Sequence, residues 1–281
     1  MKDQLVTTGT GVALAALAVY IHRRRTSSSL PGKTEQSSEL SDPSKHMPPG
    51  QQHHPSAMRN RIPILKALLE ILPESSTFTG PALEIATGTG ALMEVVAPAY
   101  PHLSYQPSEY VPEVAATPAE QWSRYGKIGL RLGLDELANI NEHGSSVFPN
   151  CRPAIALDLL QWPWPQAVME EPLSFVLILV ANTLHITPWQ CSINLFRGVG
   201  AALAPNGHLI IYGPFKVGGE FIGADGGVGN AKFDEKLRST NGEWGIRDVN
   251  ALSALADEVG LRLKRKVGMP ANNLTLCFVR K

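Results

Sequence analysis

The chain is poor in cysteine and carries no surplus of either charge. Its cysteines, Cys151, Cys191 and Cys277, are odd in number and far apart, and none forms a CxxC pair. That excludes a disulfide framework and a thiolate zinc cage, so a reduced, cytosol-facing domain is expected, with no metal. Lys plus Arg number 25 and Asp plus Glu number 25, which leaves no global field to draw nucleic acid or an acidic partner. Basic residues interleaved with aromatics cluster nowhere, so no nucleic-acid partner is expected. There is no internal repeat. What remains is a chain of 281 residues with 43% hydrophobic content, enough for one large α/β domain and its tails.

The amino terminus is a different kind of chain. Leu5 to Ile21, LVTTGTGVALAALAVYI, is uncharged and is followed by His22, Arg23, Arg24 and Arg25. At about 1.5 Å per residue the run just reaches across a bilayer core. The bulky and cationic residues after it do not suit signal-peptide cleavage, and the Arg cluster reads as a cytoplasmic stop. Residues 1–25 are therefore expected to be a membrane anchor with the folded part in the cytosol; a mitochondrial presequence is the alternative. Residues 26–55 are rich in Ser, Pro, Gln and charge and read as a flexible, disordered linker. The folded domain is expected over 56–281.

Within it, Ile64, Leu65, Leu68, Leu69 and Leu72 recur at helical spacing, which predicts a helix from Pro63 to Leu72 with Pro in its first turn. Strands are predicted at 81–86, 103–106, 154–157, 173–180 and 207–212, and helices at 91–99, 188–203 and 249–259. The run LSFVLILV, 173–180, suits the centre of a parallel sheet. Two last strands, 261–267 and 274–279, are joined by GMPANN as an antiparallel hairpin. The pattern is a Rossmann-like, doubly wound sheet of seven strands with an unusual edge.

The stretch LEIATGTG, 83–90, falls at the carboxyl end of the first strand, where such sheets bind ligands. No Gly-Lys-Ser/Thr follows, so it is not a phosphate cradle of the P-loop kind. The third glycine of a dinucleotide fingerprint would fall at Met93, whose side chain obstructs helix and strand, which disfavours NAD. Glu84, Ala86, Gly88 and Gly90 do match the acidic-x-G-x-G-x-G spacing of class I S-adenosylmethionine-dependent methyltransferases. Small residues there let the backbone approach a cofactor, and Glu84 offers a counter-charge for its ammonium. Glu109 in YQPSEY, past the second strand, can accept both ribose hydroxyls, and Asp158 in IALDLL, past the third, can take the adenine amine. The terminal hairpin is likewise a feature of the class I methyltransferase sheet.

From Arg59 to Lys281 the chain resembles the methyltransferase-like protein 26 family, long labelled a domain of unknown function. The matching segments are RNRIPIL (59–65), LEIATGTG, QPSE (106–109), LD (157–158), ANTLHITPW (181–189), IYGPF (211–215), NAKFDEKLR (230–238), EWGIRD (243–248) and MPANN (269–273). The resemblance implies a class I methyltransferase fold and S-adenosyl-L-methionine as cofactor, and implies no substrate. Arg59, Asn60, Leu159 and Asn182 join Glu84, Ala86, Gly88, Gly90, Glu109 and Asp158 as expected cofactor residues. The chain departs from the family at Met58, Ala91 and Leu92, in the Glu at 109, and in a long segment from Pro112 to Pro153.

Transfer from a sulfonium is an in-line displacement, so a base is needed only for an acceptor that carries a proton. His185, after the fourth strand, is a candidate base or a residue that orders its loop. Tyr212 is a second catalytic candidate or a buried ring with a satisfied hydroxyl. Trp244, Arg247, Asn272 and Asn273 are candidate substrate residues, the first two, with Asp248, in a lid running from Pro214 to Asp248. Aromatic walls with one cation suit a small-molecule acceptor. A catalytically silent cofactor-binding module and an NAD-linked oxidoreductase stay open beside the methyltransferase reading. Nothing in the sequence bears on the oligomeric state.

Overall fold

The computed structural model describes His53 and residues 55–111, 136–170 and 172–281. The expected anchor and nearly all of the expected linker lie outside these residues, as do residues 112–135 of the long segment from Pro112 to Pro153. Among the described residues no helix is long and apolar enough to cross a membrane.

The chain runs α1 (Pro55–Ile71), β1 (Gly80–Ile85), α2 (Met93–Ala99), β2 (Leu103–Glu109), α3 (Glu136–His143), β3 (Ile155–Ala156), α4 (Gln166–Met169), β4 (Phe175–Ala181) and α5 (Trp189–Ala202). It continues through β5 (Leu203–Val217), β6 (Glu220–Phe221), α6 (Val228–Thr240), β7 (Arg247–Asp248), α7 (Val249–Glu258), β8 (Leu261–Met269) and β9 (Asn273–Arg280). The main sheet has the order β3-β2-β1-β4-β5-β9-β8, parallel from β3 to β5 and antiparallel at β9 and β8. This is the expected doubly wound path with a terminal hairpin. The order turns back between β1 and β4, which opens a crevice at their carboxyl ends.

Side-chain alternation gives the sheet two buried faces. Leu83, Ile85, Ile178 and Val180 pack with Leu195 and Phe196 of α5 and Leu252 of α7 on one side. Ala82, Leu177 and Leu179 pack with Ile64, Leu65 and Leu68 of α1 and Met93 and Val96 of α2 on the other. Because β4 contributes to both cores, its sequence is an uninterrupted apolar run.

Several boundaries differ from expectation. Helix α1 starts at Pro55, eight residues before Pro63, which lies inside the helix. The first-turn proline is therefore Pro55, and burial of Ile64, Leu65 and Leu68 holds the helix through the amide that Pro63 lacks. His53, placed by composition in the linker, is buried. Strand β5 extends five residues past Tyr212, and its far end pairs with β6 and β7 to carry the long connection.

Candidate functional site

The glycine loop leaves β1 with Ala86 at φ 56°, Gly88 at φ 60° and Gly90 at φ 82°. Left-handed backbone at three alternate positions is the physical reason for three small residues there. A Cβ on Gly88 would meet no heavy atom within 4 Å, so space for a ligand lies open beside it. Thr87 and Ser108 rivet the loop to β2: Thr87 N donates to Ser108 O at 2.9 Å, and Ser108 Oγ donates to Glu84 O at 2.8 Å.

Glu109 closes the end of β2. Gly88 N donates to its Oε2 at 2.6 Å and Tyr110 N to its Oε1 at 2.9 Å. Burial raises its pKa, and these two amide bonds pull it back down. Each oxygen keeps a second lone pair for another donor.

Glu84 is placed differently from expectation. Its side chain turns into the face that holds Ala82 and Tyr105, where the Tyr105 hydroxyl donates to Oε2 at 2.8 Å. Burial raises its pKa to about 8, opposed by the Tyr105 bond and assisted by the charge of Glu109. Before any ligand arrives it is a neutral acid at pH 7 and not a standing counter-charge. A carboxyl that holds its proton more tightly folded than unfolded makes stability fall as pH rises from about 5 to about 8. We expect Glu84→Gln to flatten that slope in denaturant midpoints measured across the window; an unchanged slope would assign it elsewhere.

Asp158 is half-buried after β3, and its Oδ1 accepts from Leu160 N at 2.8 Å. Leu159 beside it is buried, and its carbonyl accepts from Asn194 Nδ2 at 2.9 Å. Asn182 follows β4 at φ 56°, and its backbone N–H donates to Tyr212 O at 2.8 Å. Arg59 is exposed on α1 and Asn60 half-buried; among the described residues neither side chain has a hydrogen bond. The next residue, Arg61, is the one that reaches the glycine-loop helix, through Glu94 at 3.1 Å.

On the far side of the crevice, His185 is buried with its ring against Phe233 of α6, centroids 5.6 Å apart. Gly213 lies beneath it, where an added Cβ would stand 3.6 Å from Nδ1. Burial, and then the charge of Arg247, lowers the His185 pKa to about 4, so the ring is neutral at pH 7. Phe233 itself is exposed.

The remaining candidates are spent inside the fold. Tyr212 is buried, and its hydroxyl accepts from Asn273 Nδ2 at 3.0 Å. Asn272, left-handed at φ 58°, accepts from Ala224 N at 3.1 Å and donates to Asp225 Oδ1 at 3.0 Å, pinning the long connection to the hairpin. Trp244 forms a small core with Leu237 and Ile246, not an acceptor wall. Arg247 donates to the carbonyls of Leu184 at 3.0 Å, Glu243 at 3.2 Å and Thr187, so its guanidinium clamps the His185 loop and is not free for substrate. Asp248 caps α7 through Asn250 N at 2.7 Å.

Sequence reasoning missed His53, Thr89, Glu94 and His143, a buried polar group behind the glycine loop. No periodicity or spacing marks it, because its members come from separate stretches of chain. Among the described residues no group of three His, Cys, Asp or Glu could hold a metal.

Several solved structures have a similar fold. The mitomycin 7-O-methyltransferase MmcR superposes with a TM-score of 0.56 at 17% identity, over 80% of this chain and 54% of its own. An O-methyltransferase family 2 protein from Planctomyces limnophilus, in complex with apigenin, gives 0.51 at 16%, over 85% and 63%. PigF with SAH gives 0.53 at 14%, over 80% and 64%. The chain thus spans less than two thirds of each of these proteins, and the likeness is one of fold. In sequence, residues 51–280 match the model of a family described as a protein of unknown function, DUF938, and the chain belongs to that family.

Proposed function

We propose that the chain is an S-adenosyl-L-methionine-dependent methyltransferase acting on a small-molecule acceptor, and that within its family it is a relative of methyltransferase-like protein 26. The observation that carries this reading is the Glu109 carboxylate held across Gly88 N–H at 2.6 Å, beside open space and at the crevice where the strand order turns back. Its spare lone pairs suit two vicinal hydroxyls. On this reading Asp158 and Leu159, after β3, take the adenine, and Arg59 and Asn60 take the amino-acid end. When bound, the cofactor supplies an electrophilic methyl group. His185, neutral and buried, takes the proton of an acceptor hydroxyl, while Phe233 offers an apolar wall. PigF was solved with SAH and the Planctomyces protein with apigenin, which supports the same classes of ligand here.

A catalytically silent module is favoured by one set of observations: Arg247, Trp244, Asn272 and Asn273 are all engaged within the fold. Incubating the full chain with deuteriomethyl-labelled cofactor and a small-molecule extract separates the two. A labelled metabolite identified by mass spectrometry is expected; cofactor binding with no labelled product would support the silent module.

We also read residues 5–21 as a membrane tether that leaves the folded part in the cytosol. Deleting residues 1–25 is expected to move the protein from the membrane pellet to the soluble fraction with cofactor affinity unchanged. Import into mitochondria followed by cleavage after the Arg cluster would contradict the tether.

A further inference from the structure

Behind the glycine loop, side chains from three stretches of chain converge on Glu94. Its Oε1 lies 3.2 Å from His53 Nε2 and 4.0 Å from His143 Nδ1, and its Oε2 accepts from Arg61 Nη1 at 3.1 Å. The His53 and His143 rings stand 5.9 Å apart. The side chains of His53 and Glu94 are each only 4% exposed. A carboxylate at that depth is costly unless paired, and Arg61 alone would pair it. His53 does something more: its other nitrogen, Nδ1, lies 3.0 Å from Thr89 Oγ1.

Thr89 sits between Gly88, whose amide Glu109 holds, and Gly90, left-handed at φ 82°. The glycine loop is therefore gripped from two sides, by Glu109 from β2 and by His53 from the stretch before α1. His53 Nε2 lies within ion-pair distance of Glu94 Oε1 but without the geometry of a hydrogen bond, so the bond that ties His53 to the loop is the one between Nδ1 and Thr89 Oγ1.

We propose that His53 is a positioning residue for the cofactor: it fastens the chain ahead of α1 onto the glycine loop and holds the loop in its ligand-taking conformation. The proposal rests on the reading that the loop binds S-adenosylmethionine. Its consequence is that cofactor affinity depends on a residue that lies 30 or more positions before the loop, outside the strand-loop-helix unit that binds the ligand.

The test uses the full chain with His53→Ala, His53→Gln, Thr89→Val and the double variant His53→Ala/Thr89→Val. Affinity for S-adenosylhomocysteine is measured by calorimetry, stability by denaturant midpoint, and loop order by amide hydrogen exchange of the peptide covering 84–92. His53→Ala and Thr89→Val are each expected to weaken binding about tenfold and to speed exchange in that peptide. The double variant is expected to be no worse than either single one, since both remove the same bond. His53→Gln, whose amide can still hydrogen-bond the Thr89 hydroxyl, is expected to recover part of the loss. Lower stability with unchanged affinity and unchanged loop exchange would make the cluster merely structural and overturn the proposal. If the unaltered protein binds no S-adenosylhomocysteine, the cofactor reading fails, while loop exchange in His53→Ala still decides whether His53 holds the loop.

Discussion

His185→Ala is expected to lower methyl transfer by about 10²- to 10⁴-fold, the usual worth of a positioned base, with cofactor affinity unchanged. The ring lies between Gly213 below and Phe233 above, while its main-chain carbonyl, which accepts from Gly245 N at 3.0 Å, survives the substitution. Truncation thus removes the imidazole and leaves that loop tie in place. The pH profile gives an independent check. With its pKa lowered to about 4 by burial and by Arg247, His185 is already neutral well below pH 6.5. The acid limb of kcat is therefore expected near pH 4 to 5, and a limb near 6.5 would point to a different, solvated base. Equal loss of transfer and cofactor affinity in His185→Ala would make the ring part of the core or of the cofactor pocket.

Glu109→Ala is expected to weaken S-adenosylmethionine by about 1 to 3 kcal/mol, roughly 5- to 150-fold. Two effects add. The ribose hydroxyls lose a charged acceptor, and the amides of Gly88 and Tyr110 lose the partner that shapes the loop. Glu109→Gln keeps one acceptor oxygen and so is expected to lose less. Gly88→Val belongs to the same test: at φ 60° any Cβ is strained, and the open space beside it would be filled by isopropyl. Circular dichroism should show all three variants folded. Unchanged affinity in folded Glu109→Ala would make Glu109 a structural acid.

The parts of the fold that were legible in the sequence are those that one backbone constraint imposes locally. The run over β4 is apolar because both faces of that strand are buried, and Ala86, Gly88 and Gly90 are small because their backbone is left-handed. Glu109 was legible because a strand terminus fixes where its side chain can stand. Arg247, Asn272 and Trp244 look like binding residues in one dimension, since a cation, an amide and an aromatic in a long connection have the right chemistry. Only the tertiary structure shows that the carbonyls of residues 184, 187 and 243, the loop at 224–225 and a local core take up their capacity. Glu84 is the subtler case, because the Tyr105 contact depends on β1-β2 register, which strand-end position alone does not specify. His53 was invisible for the opposite reason: it follows a polar tract with no periodicity, and its burial depends on Thr89 and Glu94, more than thirty residues on.

The most direct measurement is a calorimetric titration of the full chain with S-adenosylmethionine, S-adenosylhomocysteine and NAD in parallel. Saturable binding of both sulfur cofactors, with NAD weaker or absent, is the expected result. NAD binding more tightly than S-adenosylmethionine, or no binding of either sulfur cofactor by folded protein, would contradict the methyltransferase account.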